Sequence, residues 1–482
     1  MKSVVVFLTW ALSTLWLFWL NRDEDKRVSK ALWLPTIMLC IVGSRPVSAW
    51  LQAFMGVDPS AAWNSGNQVD AQLDGSPLDA AVYSILLLCG LAVMWQRARR
   101  SMSVLKVSTP VALYLTYTLL SVSWSLIPEA AFKRWTKDLC DLLMVLIIVT
   151  DPRPMVALRK IFSRTGILLL PASIFLIRYS MLGRRYDIEE QFMNIGVATN
   201  KNSLGLMAYV VSLGAVWSLF SLLRVERKKG KRRRVVAQSV LIIFGLLVLY
   251  LAHSATSVAC FLFGAILIAI TEMHVMRKRP STIHVATCSI LLVGGLLVLL
   301  GGQGLVFHAL GRASDLTGRT AIWRAVIPLC PNPLFGAGFE SFWNTAGRNI
   351  QDLSSVQSHN LASAHNGYIE VYLNLGLVGL SLMCLVILGA YRGAVAAFRR
   401  NHGLGGLALG LLGSAVIYSV SEAGFRSLTL SWISLLLVTV IPKAMVRSSG
   451  RAGSVVNSSS MWKNGVIEPS DTGLSDIARR HV

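Results

Sequence analysis

The longest interval between apolar segments runs from about Leu305 to Gly379, and it gathers residue types that do chemistry. It closes with His365-Asn366, nine further residues, then Gly376-Leu377-Val378-Gly379. Its first half carries Gly318-Arg319-Thr320-Ala321-Ile322-Trp323-Arg324, followed by the turn-rich Pro331-Asn332-Pro333-Leu334-Phe335-Gly336-Ala337-Gly338. An imidazole with an ordinary pKa of about 6.5 is suited to take a proton from an attacking hydroxyl. Arg319 and Arg324 offer permanently charged planar forks that match phosphate oxygens. Residue type alone leaves two readings of His365 open: a general base, or a structural His hydrogen-bonded near a helix start. Trp323, Trp343, Phe335, Phe339 and Phe342 likewise fit either loop packing or sugar stacking, with packing favoured.

These residues need a scaffold, and composition says which kind. The 482 residues are 54% hydrophobic and only 15% charged, with a net charge of +22. Repeated apolar runs of about twenty residues put the chain in the membrane class. Candidate spans are 3–20, 31–52, 78–95, 107–125, 136–150, 165–182, 203–223, 235–252, 257–275, 285–304, 368–390, 404–420 and 428–446. The expected fold is an all-α polytopic membrane protein of about 12–13 transmembrane helices, with one large periplasmic loop between late spans. Residues 1–446 form a single membrane domain, 305–367 the large loop, and 447–482 a disordered cytoplasmic tail. The first twenty residues lack a small-x-small cleavage site and read as an uncleaved span.

Charge placement orients the helices and excludes nucleic acid as the partner. Every second loop is basic, from Arg22/Lys26/Arg27 through the run Arg224 to Arg234 to Arg399/Arg400, as cytoplasmic loops require. The other loops, 305–367 among them, then face outward, and their basic residues run against the insertion bias. Those include Arg45, Lys133, Arg134, Arg184, Arg185 and Lys201 as well as Arg319 and Arg324. Arg184 and Arg185, in Gly183-Arg184-Arg185-Tyr186-Asp187, suit a pyrophosphate headgroup at the bilayer surface. No Asp-x-Asp or His/carboxylate cluster stands at ligand spacing, so no metal and no cofactor is expected. The seven Cys show no CxxC or CxxH, which supports neither a disulfide framework nor a zinc site.

His365-Asn366-x9-Gly376-x-x-Gly379 resembles the signature of the bacterial O-antigen ligase and polymerase superfamily. Gly318-Arg319-Thr320-x-x-Trp323 and Pro333-Leu334-Phe335-Gly336-x-Gly338 are similar to the stretch leading into it. The segment 196–205, Gly-Val-Ala-Thr-Asn-Lys-Asn-Ser-Leu-Gly, resembles the exopolysaccharide-polymerase branch. So do Ser44-Arg45-Pro46-Val47-Ser48 and Trp124-Ser125-x-x-Pro128. The resemblance implies a GT-C-type membrane glycosyltransferase in the bacterial inner membrane, its active site on the periplasmic face. It implies an undecaprenyl-diphosphate-linked oligosaccharide as substrate, membrane lipids and a chain-length regulator as partners, and a metal-independent transfer. By position His365 is the catalytic residue and Arg319 a diphosphate ligand, with Asn366, Gly376, Gly379 and Trp323 in support. One departure stands out: where many ligases carry another Arg, this chain reads His253-Ser254-Ala255-Thr256-Ser257. Arg184, Arg185 or Lys201 is left to supply that contact, which favours a polymerase over a ligase acting on lipid A-core. A transporter of lipid-linked sugars would instead bury charges inside its spans and show repeat symmetry.

Overall fold

A computed structural model describes residues 2–23, 28–55, 76–98, 108–186, 192–224, 230–278, 281–285, 287–288, 316–344 and 363–441. The expected span 285–304 falls almost wholly outside them, as do the tail 447–482 and much of the loop 305–367. The other expected spans appear as helices. They are α1 (Lys2–Leu20), α2 (Trp33–Val42), α3 (Val47–Phe54), α4 (Pro77–Gln96), α5 (Thr109–Leu120) and α6 (Pro128–Val149). There follow α7 (Pro154–Tyr179), α8 (Lys201–Leu223), α9 (Lys231–Ala252) and α10 (Ala255–Glu272). The large loop contributes α11 (Leu316–Val326), and the chain continues through α12 (Gly367–Arg400), α13 (His402–Ser421) and α14 (Leu430–Ile441). Among the described residues, seven helices are long and apolar enough to cross a membrane. An eighth such element is the pair Lys30–Val42 and Val47–Phe54, bent by 65°. The chain is a multi-pass, all-α membrane protein; its described strands form one small hairpin, β1 (Arg184–Tyr186) with β2 (Phe192–Asn194).

The basic loops meet at one end of the bundle. Arg234 pairs with Asp23 at 2.7 Å, Arg233 donates to the carbonyl of Arg22, and Arg224 pairs with Glu272. Arg97 reaches Ser29 at 2.8 Å and Thr150 at 3.2 Å, and Asp151 accepts from the Ser29 amide at 3.0 Å. The starts of α8, α10 and α12 and the end of α13 therefore lie at the opposite end, where His365 sits.

Small residues let the central helices approach closely. α13 packs along α10 and α12, and its run of glycines makes that possible. A Cβ on Gly406 would stand 2.1 Å from the Thr271 hydroxyl, and one on Gly410 2.9 Å from the Gly264 carbonyl. In lipid, where apolar burial gives little drive, such close packing is what holds helices together.

The spans are less free of charge than hydropathy suggests. α6 buries Arg134, Asp138 and Asp141. The Trp432 indole donates to Asp138, and the Leu428 amide donates to Asp141 Oδ2 at 2.8 Å. Hydropathy cannot see these carboxylates being met by donors almost three hundred residues later. Arg45 is buried too, and donates to the carbonyls of Ala198 at 2.9 Å, Gly196 at 3.1 Å and Leu182. It ties the α2/α3 bend to the segment that follows α7, a structural role.

Candidate active site

His365 stands immediately before α12. Asn366 caps that helix: its Oδ1 accepts from the amides of Tyr368 and Ile369 at 3.0 and 3.1 Å, and its Nδ2 donates to the Val420 carbonyl at 3.0 Å. The cap satisfies two helix-start amides and fastens them to the last turn of α13. His365 itself has φ +49, a left-handed conformation that lifts its ring off the helix. Its Nδ1 lies 3.4 Å from Glu422 Oε2, with the ring side chain 41% exposed and that of Glu422 only 10%. The spacing exceeds the roughly 2.7–3.2 Å of a formed N–H···O bond.

Glu422 is the hub of the site. Its Oε1 accepts from Arg319 Nη2 at 3.0 Å and from Asn202 Nδ2 at 2.7 Å. The other end of the Arg319 fork donates to the Ser421 carbonyl. The Ser254 hydroxyl donates to Asn202 Oδ1 at 3.2 Å, and Thr256 and Ser421 share a hydrogen bond of 3.1 Å. So α8, α10 and α12 bring their N-terminal ends to the C-terminal end of α13. Ser254, the residue before α10, makes no side-chain cap and turns toward Asn202 instead. The segment without an Arg thus supplies hydroxyls and a helix N-terminus beside the hub.

The remaining candidates divide. Trp323 donates from its indole to the Ala364 carbonyl at 2.8 Å, placing α11 against the residue before His365. Arg324 is exposed in the last turn of α11. Lys201 is half-buried as the first residue of α8, beside Asn202. Arg184 and Arg185 lie on the hairpin, which is anchored by Asn194 to the Leu251 carbonyl at 3.0 Å. Arg184 is turned to the end of α7, donating to the Ile177 and Arg178 carbonyls at 2.5 and 3.1 Å. No described contact joins either hairpin Arg to His365 or Glu422.

The glycine half of the signature is built from backbone. α12 breaks at Gly376, whose φ of 64 and ψ of −164 are essentially closed to other residues. At the break the amides of Leu377 and Val378 donate to the carbonyls of Pro333 and Leu334, at 2.9 and 3.2 Å. The Ala337 and Gly338 amides donate to the Leu373 and Asn374 carbonyls at 3.0 and 2.9 Å. A Cβ on Gly376 would stand 2.2 Å from the Leu334 carbonyl carbon, and one on Gly379 2.1 Å from the Leu375 side chain. Beside this clamp Phe342 and Trp343 are buried with Val326, Ala337, Ala364 and Leu373 in a small second core. The Trp343 indole and the Ala364 amide donate to the buried Glu370 at 2.9 and 2.6 Å. Packing is therefore the role of these aromatics.

Sequence reasoning passed over Glu422, one of many scattered outer carboxylates, and Asn202, embedded in a segment noted only for resemblance. The available signal was helix grammar: Asn200 caps α8, so Asn202 faces out of its first turn. Among the described residues no three His, Cys, Asp or Glu side chains converge as a metal-binding group.

Residues 239–384 match the family described as O-Antigen ligase, an interval that contains Arg319, His365 and the Gly376 break. The matched interval is less than half of the chain, and over that interval the chain is similar to this family. It is also 24% identical over 291 residues to "Exopolysaccharide production protein ExoQ" of Rhizobium meliloti (strain 1021). That alignment covers 58% of this chain and 63% of the relative, so the chain spans less than two thirds of the relative's length. Within the superfamily match, His365 and Arg319 fall inside the shared interval, whereas Glu422, Asn202 and Lys201 lie outside it.

Proposed function

We propose that this chain is a polysaccharide polymerase that joins lipid-diphosphate-linked repeat units on the periplasmic side of a bacterial inner membrane. The observation that carries the reading is the meeting of His365 and Arg319 on Glu422. Glu422 beside Nδ1 favours the tautomer that carries its proton there, leaving Nε2 to accept one. The acceptor hydroxyl oxygen attacks the anomeric carbon of the lipid-linked glycan while its proton passes to His365 Nε2. The anomeric carbon–oxygen bond to the diphosphate breaks, and the diphosphate lipid leaves with the electron pair. The imidazolium formed is stabilised by Glu422 and later returns its proton to water.

Leaving-group charge needs positive partners. Arg319 on Glu422, and Lys201 and the N-terminal amides of α8 and α10 at the same end of the bundle, are the positive groups this reading assigns to it, since helix N-termini attract phosphate. Undecaprenyl diphosphate is the carrier this reading implies, without a metal. The relative named for exopolysaccharide production favours polymerisation, and the family description favours ligation to lipid A-core as the second reading.

Deleting the gene and comparing cell glycans separates them. Loss of secreted polymer, or of the long ladder with single repeats still on core, is the expected result. Loss of every O-antigen band, with polymer retained on the carrier, would make it a ligase. Unchanged glycans would overturn both.

A further inference from the structure

A second cationic cavity lies at the start of α6, at the end of the bundle that also holds His365. It has a volume of about 380 Å³ and follows the outer turns of α6, with Lys133, Arg134 and Lys137 along it. Lys133 is at the surface and pairs with Glu129 at 2.5 Å. Arg134 is buried and fixed: it donates to the Glu340 carbonyl and, at 2.9 Å, to Asn344 Oδ1. Lys137 differs from both. It is half-buried, and no hydrogen bond or ion pair joins its ammonium to another described residue. The charged groups around it are Glu340, Arg134, Asp79 and Arg426. Both nearby carboxylates are engaged elsewhere, Glu340 with the Ser427 amide and hydroxyl at 3.1 and 3.0 Å, Asp79 with Ser48. An ammonium kept partly out of water without a partner costs free energy that an anion would offset.

The cavity connects to the hub through Glu340, whose carbonyl accepts from Arg134. Glu340 binds Ser427, and Ser427 follows Glu422 by only five residues, a reach of at most about 18 Å in an extended chain. Resting on the polymerase reading, the chemistry demands such a second place. The acceptor presents its reacting hydroxyl to His365, while its own diphosphate stays at the membrane surface, one repeat unit away.

We propose that the Lys137 cavity holds the phosphate headgroup of the acceptor lipid. The donor diphosphate lies by Arg319 and the acceptor diphosphate by Lys137, with the loop from Glu422 to Leu428 between them. Ordinary anionic phospholipid carries the same phosphate chemistry, and the test separates the two sources.

Full-length protein in nanodiscs is titrated with undecaprenyl diphosphate, and bound lipids are counted by native mass spectrometry. Wild type is expected to hold two, Lys137→Gln one, and Lys137→Arg two again, while His365→Ala keeps both. Retention of the donor equivalent by Lys137→Gln shows that the variant is folded. Two lipids still bound to Lys137→Gln would overturn the proposal. So would loss of the second lipid to phosphatidylglycerol at matched concentration, which would make the cavity a phospholipid site. One lipid on wild type, lost in Arg319→Gln, would remove the acceptor site alone. No diphosphate lipid bound at all would remove the polymerase reading as well.

Discussion

The two ends of one signature work by different means. At His365-Asn366 the side chains matter: one ring faces a carboxylate across 3.4 Å, and one amide caps α12. Ten residues on, at Gly376, the absence of a side chain matters, because the backbone of the Pro333–Gly338 turn occupies the space a Cβ would need. A pattern that reads as one motif is thus a proposed base and a joint. The joint fixes the loop that carries Arg319, and through Trp343, Glu370 and Ala364 it fixes the residue before His365. Substitution of His365 should change rate without stability, and substitution at the glycine end should change stability before rate.

His365→Ala gives the largest expected effect: loss of roughly 10²–10⁴-fold in glycan transfer, with the purified protein melting where wild type does. An active variant would strip His365 of its role as base. Gly376→Ala tests the opposite prediction. It should destabilise by about 3 kcal/mol, from a backbone conformation closed to alanine plus the clash with Leu334, read as a lower melting temperature in detergent. Unchanged melting would mean that the turn simply moves aside. Arg319→Lys follows, with an expected fall in transfer of about tenfold, since an ammonium lacks the rigid planar fork whose two ends reach Glu422 and the Ser421 carbonyl. Equal loss of stability would assign Arg319 to the joint and not to the reactive end. Trp343→Phe should act on stability alone, costing about 1–3 kcal/mol for removing one donor from buried Glu370, with rate per folded molecule preserved.

The same contrast explains what was legible in the sequence. Span positions follow from hydropathy because each helix must be apolar over its own length, a local property. His365, Arg319 and the glycines stand out because their spacing is local as well. Glu422 has no local pattern; it becomes the hub only because α13 ends where α12 begins. Asn202 reaches it from 220 residues away. Lys137 was hidden differently, at the first turn of an expected span, where a lone cation reads as a boundary. The bent α2/α3 pair escaped because hydropathy over 31–52 does not register a 65° turn held by Arg45.

The acids of α6 carry a consequence for how the protein is made. Asp138 and Asp141 each oppose insertion by about 2.5–3.5 kcal/mol at a helix centre when the helix is alone. The groups that satisfy them, the Trp432 indole and the Leu428 amide, emerge from the ribosome almost three hundred residues later. α6 therefore enters the bilayer on credit, retained by its neighbours or by water until α14 arrives. A nascent chain halted before Leu428 leaves α6 a preferred substrate for membrane quality control, and completing α14 is the step that commits the bundle.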